Sequence, residues 1–338
     1  MSLTELHSVE TPPSGKAGSG RASGIPWGKL TDYSLPAMLA ILVVVFCILE
    51  PDTFATVQNL KTILSSNSVV AILALGALFP LIVGEFDLSV GANLGLSLIL
   101  CTGLASRSGL GAPEAIAIAL LASSLVGVVN GVLVAKGGID AFVSTLGMSS
   151  LITGGVVWYS NGETFATNIP HGLTALGRND LIGIPLPVWF LAATVALTFY
   201  LLAATPLGKY LYAVGGSRDA SRLSGLNVPL LTIFAFIVSG FLAGVAGVLQ
   251  AAQLGSGSPS VGPSYLLPAF AAVFLGATSF RRGSFNVPGT VTAAFVIAVG
   301  INGLISVGAP FYIAPVFTGA ALLTAALAAR AFKARRKT

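Results

Sequence analysis

Along most of the chain apolar residues run on without alternating, in stretches near 34–50, 61–83, 88–106, 113–135, 140–160, 186–204, 229–251, 265–280, 288–307 and 311–331. About 20 apolar residues, rising about 1.5 Å each in a helix, cross a hydrocarbon layer. A transmembrane barrel would instead place an apolar residue at every second position. The pattern therefore predicts an all-α integral membrane protein, a bundle of about ten transmembrane helices. Two regions break it. Gly84-Glu85-Phe86-Asp87 interrupts the apolar sequence between the second and third stretches, and Pro259, Pro263 and Pro268 crowd the start of the eighth. Broken or re-entrant helices are expected at both.

Composition supports the membrane as solvent. Of 338 residues, 54% are hydrophobic and only 9% charged, with a mean hydropathy of +0.89. Soluble domains carry roughly a quarter charged residues. Residues 1–30 are rich in Ser, Gly, Pro and Thr, lack apolar periodicity, and are expected to form a disordered cytoplasmic tail. They show no basic start followed by a short apolar core, so no cleavable signal peptide is read in them. Residues 31–332 then read as a single transmembrane domain, and 333–338 as a basic cytoplasmic tail.

With ten spans and both termini inside, 14 of the 17 Lys and Arg residues fall on the cytoplasmic side; Lys61, Arg107 and Arg178 fall outside. This follows the bias of cytoplasmic loops towards positive charge. It also accounts for the formal charge of +5 without nucleic-acid binding. Asn130-Gly131 and Asn302-Gly303 lie in spans of opposite expected direction, which suggests an inverted repeat.

Candidate chemistry is sparse. The chain has no GxxxxGK[ST] phosphate loop, HExxH or GxSxG, and its histidines are His7 in the tail and His171 in an external connector. Cys47 and Cys101 lie within apolar stretches with no metal-ligand spacing, so no metal or cofactor is expected. Membrane-interior charge, the usual means of coupling to an ion gradient, is nearly absent. Glu85 and Asp87 are the exceptions. In VGEFDLSVGANLG, Asp87 or Ser89 can cap the helix that follows; alternatively Asp87, Ser89, Gly91 and Asn93, with Asn130 and Asn302, mark a solute path or a helix hinge. The two readings are compatible.

The long internal connector, TPLGKYLYAVGGSRDASRLSGLNVP, has the grammar of a short surface helix. Ser217 is placed to cap it, Arg218 and Arg222 lie one turn apart, and Gly225 ends it before Pro229. It is either an ordinary basic loop or a docking helix for a cytoplasmic partner. Glycines four apart, Gly91 and Gly95, Gly127 and Gly131, Gly240 and Gly244, read as sites of close helix packing.

Three motifs in order, GEFDLSVG at 84–91, AVGGSRDASRLSGLNV at 213–228 and AVFLGATSFRRGSFNVPGT at 272–290, resemble the permease subunits of ribose, xylose and galactoside ABC importers. The similarity extends from about residue 35 to the C-terminus. It implies a bacterial-type inner-membrane subunit that pairs with a second permease copy or paralogue amid membrane lipid. It also implies that solute arrives from an extracytoplasmic binding protein and that cytoplasmic ATP-binding subunits do the hydrolysis. By the same resemblance, Gly215, Gly216, Ser217, Arg218, Asp219, Arg222, Leu223 and Gly225 form the element that couples to the ATPase. The sequence departs from the family pattern at Glu85 and Phe86, where small residues are common, at Asp140-Ala141, and at Thr153-Gly154. The solute is expected to be a monosaccharide, with a nucleoside, an autoinducer-like sugar, a branched amino acid, or transport without ATP as alternatives.

Overall fold

The structure is a computed structural model that describes residues 33–335 except 282, with side chains as far as residue 327. The tail expected at 1–30, and residues 336–338 of the one expected at 333–338, lie outside the described residues.

All ten apolar stretches contain helix. In chain order these are α1 (Ser34–Leu49), α2 (Val57–Ile82), α3 (Val90–Ser108), α4 (Ala112–Ala135) and α5 (Ala141–Ser160). After a short α6 (His171–Arg178) come α7 (Leu186–Phe199), α8 (Pro206–Gly216), α9 (Arg218–Leu223), α10 (Val228–Leu254), α11 (Leu266–Gly276), α12 (Val287–Ser306) and α13 (Ile313–Arg335). Among the described residues seven helices are long and apolar enough to cross a membrane: α2, α3, α4, α5, α7 with its π-turn extension to Ala204, α10 and α12. The chain is an all-α integral membrane protein. The apolar segments at α1, at Gly262–Gly276 and at Ile313–Leu327 are shorter. The eighth stretch, expected to span 265–280, holds only the 11 residues of α11 behind a 3-10 turn at Gly262–Tyr265. Pro263 opens the 3-10 turn and Pro268 lies in the first turn of α11, so the prolines shape its start, because each removes a backbone donor and restricts the residue before it; its early end at Gly276 lies beyond them.

Helix starts follow local chemistry. The side chains of Thr56, Asp140, Asn227 and Asn286 accept backbone N–H groups at the first turns of α2, α5, α10 and α12. Gly109 and Gly255 end α3 and α10 in the left-handed conformation that glycine adopts without penalty. The cap at Thr56 starts α2 four residues earlier than its apolar run suggested.

At the centre α10 packs against α2, α3 and α4. The glycine pairs make this possible: a Cβ at Gly127 or Gly240 would meet the backbone of the facing helix, and one at Gly247 would meet Leu94 O. The least apolar of the seven long helices, α3, is the most buried, whereas α4, α5 and α7 leave most of their residues outward. Leu121, Leu125, Leu151 and Trp158 are among the exposed side chains. Such an arrangement suits a lipid solvent, in which apolar residues belong on the outside and polar ones among helices.

One end of the bundle is closed by the 161–185 connector. It contributes α6 and a two-stranded antiparallel hairpin, Asp180–Leu181 with Ile184–Pro185. Lys61 Nζ pairs with Asp180 Oδ2 at 2.6 Å, and Arg107 donates to Tyr159 O at 2.6 Å. Arg178 donates to Gln253 O and Leu254 O, at the negative end of α10. The three cations expected outside therefore lie together at one end.

Candidate functional site

The break between α2 and α3 is built by residues 83–89. Pro80 lies inside the last turn of α2, Glu85 N–H donates to Pro80 O at 2.9 Å, and Gly84 takes a positive φ of 86°. A left-handed residue directs the chain away from the helix axis, and glycine accepts it without strain. The following residues do not form a helix until Val90.

Asp87 is buried and accepts three hydrogen bonds: from Ser89 N–H (3.1 Å) and Ser89 Oγ (2.6 Å) at Oδ1, and from Ser239 Oγ (2.7 Å) at Oδ2. Ser89 Oγ accepts in turn from Asn130 Nδ2 at 2.8 Å. The four side chains thus form one chain of hydrogen bonds linking α4, the α2–α3 break and α10. Of the two caps expected, Asp87 takes the free N–H of Ser89, while Ser89 makes no cap bond of its own. One turn along α3, Asn93 Nδ2 donates to Ser123 O (3.1 Å) and Gly240 O (3.4 Å), and Ser97 Oγ donates to Gly244 O at 2.8 Å. Thr145 Oγ1 accepts Leu88 N–H at 3.0 Å and donates to Ala141 O at 2.7 Å, fixing α5 to the same segment.

Asp87, Ser89, Asn93 and Asn130 are each at most 2% exposed, so the protomer encloses them. Gly91 packs against Gly262 O and Leu266. Asn302 lies elsewhere: it accepts from Asn59 Nδ2 at 3.1 Å and lines a cavity of about 510 Å³ with Asn67, Ser264, Pro268 and Thr318. The side chains of Ser239 and Thr145, which complete the buried network, had no sequence signal, because a lone Ser or Thr in an apolar helix looks like any small residue; Ser123 enters it through its backbone carbonyl.

At the opposite end from the hairpin, the internal connector forms two helices rather than one. Ser217 is extended between α8 and α9, and its Oγ accepts Ala220 N–H at 3.3 Å, the cap expected of it. Gly225, at φ 82°, closes the other end. Tyr212 Oη donates to Phe285 O at 2.7 Å and holds α8 against the loop before α12. Burial raises the Tyr212 hydroxyl above its usual range while nearby Arg281 opposes the shift, so it remains a donor at neutral pH. A Cβ at Gly215 would overlap Ile82 O. Arg218 pairs with Glu85, and Arg222 lines a polar cavity of about 320 Å³ beside them with Asp140 and Thr232. Leu223, at the tip of α9, is 91% exposed. Among the described residues no group of three His, Cys, Asp or Glu is placed to hold a metal.

Comparison with known proteins agrees with these motifs. Residues 59–326 match the family model described as branched-chain amino acid transport system / permease component. The chain is 37% identical to the ribose import permease of Haemophilus influenzae over 269 residues, covering 79% of this chain and 83% of the relative. Against the ribose import permease of Escherichia coli K12 it is 37% identical over 301 residues, 87% and 92% of the two chains. It is 31% identical to the D-allose transport system permease of Escherichia coli K12 over 281 residues, 82% and 84% of the two. No solved structure matches at a significant level.

Proposed function

Since the chain belongs to the family of branched-chain amino acid transport system / permease components, we propose that it is the membrane-spanning permease of an ATP-driven sugar importer. The relatives named above carry ribose and allose in their names, which directs the reading to a monosaccharide. In this reading an extracytoplasmic binding protein delivers the sugar to the hairpin end, and ATP-binding subunits dock at the α8–α9 end. The path forms between this chain and a second permease copy or paralogue. Both termini face the cytoplasm, all ten apolar segments lie in the membrane, and residues 31–332 act as one domain.

The observation that carries the docking assignment is α9: a short capped helix that presents a nearly fully exposed leucine and Arg222 at the end opposite Lys61, Arg107 and Arg178. An exposed apolar anchor beside a cation is the composition expected of a protein interface centre. The buried Asp87–Ser89–Asn130–Ser239 chain serves as a hinge between helices, and Asn302, with its cavity, is the polar candidate for the path.

Purification in mild detergent followed by mass spectrometry of the co-purifying proteins tests this. An ATP-binding subunit should accompany the wild-type chain and should be reduced, roughly tenfold or more, by Arg222→Glu or Leu223→Ser, as for an interface anchor. A chain reproducibly alone, in vesicles that still move sugar without ATP, would instead establish a carrier or channel.

A further inference from the structure

Glu85 and Phe86, which interrupt the apolar sequence between α2 and α3, both make specific contacts. The Glu85 side chain is 14% exposed and pairs with the guanidinium of Arg218, the first residue of α9. The other ion pair among the described residues, Lys61 with Asp180, lies at the far end of the bundle. Next to the Glu85–Arg218 pair, Gly215 sits against the last carbonyl of α2. The α8–α9 turn therefore touches residues 82–85 twice, once sterically and once through charge. One residue on, the Phe86 ring stacks on Phe270 and Phe274 of α11 with centroids 6.3 Å apart, and 41% of the residue is exposed. The next residue is Asp87, which accepts from Ser89, just before α3, and from Ser239 on α10, while Asn130 of α4 donates to the same Ser89 hydroxyl. Three consecutive residues thus connect α9, the aromatic face of α11 and the buried hinge.

A carboxylate that is mostly withdrawn from water and loses its cation is left without compensation, so Glu85 tends to follow Arg218 when α9 is displaced. Gly84, at positive φ, supplies a pivot just before it. We infer that Glu85 is the positioning residue that transmits displacement of α9, through Arg218, to Phe86 and the α2–α3 break. This rests on the reading of α9 as the ATPase docking helix. Docking itself uses Leu223 and Arg222, which the Glu85–Arg218 pair leaves outward or in the neighbouring cavity.

The test uses the detergent-purified complex of the full chain with its ATPase subunits, in a Cys47→Ser, Cys101→Ala background. A polarity-sensitive fluorophore on Phe86→Cys reports the environment of residue 86 when ATP is added, and ATP hydrolysis is followed in parallel. Glu85→Gln should retain the ATPase and its hydrolysis but reduce the ATP-induced fluorescence change roughly two- to five-fold, the scale of a partly exposed ion pair. Arg218→Gln, in whatever fraction of it still holds the ATPase, should reduce the fluorescence change as Glu85→Gln does, and the exchange Glu85→Arg with Arg218→Glu should restore the change, which a merely structural requirement for either residue would not. A full-sized change in Glu85→Gln, no change in an ATPase-bearing wild type, or an exchange no better than its single variants would each overturn the inference while leaving the docking reading intact. A wild-type complex holding no ATPase would overturn the docking reading, and this inference with it.

Discussion

Asp87 shows at the residue scale how one side chain serves both local and distant structure. Its Oδ1 ends the α2–α3 break by taking Ser89 N–H, and its Oδ2 reaches across to Ser239 on α10. All three of its hydrogen bonds are donated to it, so an amide in its place puts an NH2 group where Oδ2 accepted: Ser239 Oγ has to turn from donor to acceptor, and the second amide N–H is left to find a partner in a buried site. Asp87→Asn should lower stability by on the order of 2 kcal/mol, more than the roughly 1 kcal/mol expected of Ser239→Ala, which removes one bond. Melting temperatures in a single detergent compare them directly. Equal and negligible shifts would mean that the network adds nothing to the fold.

Between elements, the packing of α10 on α4 depends on the absence of side chains. A Cβ at Gly240 would meet Ser123 O and the backbone of Gly127, whereas one at Gly147 or Gly154 would meet nothing within 4 Å. Gly240→Leu should therefore destabilise the bundle by about 2 kcal/mol or more through forced separation of the two helices. Gly154→Ala, in a helix interior where glycine is unfavourable, should be neutral or slightly stabilising. Size-exclusion profiles after mild heating would separate the two; a monodisperse Gly240→Leu protein with unchanged heat resistance would contradict the packing argument. The glycine spacings were legible as close-packing sites, but their partners were not, because spacing along one helix carries no information about which helix faces it. The eighth apolar stretch illustrates the reverse case. Its prolines were visible as a disruption, and the 3-10 turn before α11 is the form that disruption takes.

For the whole molecule, polar chemistry is sorted to the two ends. Lys61, Arg107 and Arg178 bind partners at the hairpin end, and Glu85, Arg218 and Arg222 gather at the other. If the termini are cytoplasmic, a thiol at Glu163→Cys should react with a membrane-impermeant maleimide in intact spheroplasts, and one at Ser224→Cys only after lysis. Both positions are exposed, and the background again lacks Cys47 and Cys101. Labelling of Ser224→Cys in intact cells would invert the topology and move the docking surface to the wrong side. The outward leucines and Trp158 belong to the same scale: the helices with the fewest buried residues form the face offered to lipid or a second permease.

The sequence alone determined the solvent, the helical class, the positions of the ten apolar segments and the capped element at 217–225. Each depends on runs and spacings within about one helix length, where hydropathy and local hydrogen bonding govern the outcome. It also marked Asp87, because a carboxylate among apolar residues is costly and needs a reason. Tertiary structure alone decided that Asp87 faces Ser239, that Asn302 lies apart from Asn93 and Asn130 beside its own cavity, and that Glu85 meets Arg218. Those pairings join residues 133 to 152 positions apart in the chain, except for the cavity, and depend on which helices pack together. In a bundle where nearly every helix is apolar all round, the hydrophobic pattern selects no face, so close glycine contacts and a few buried polar bonds set the arrangement.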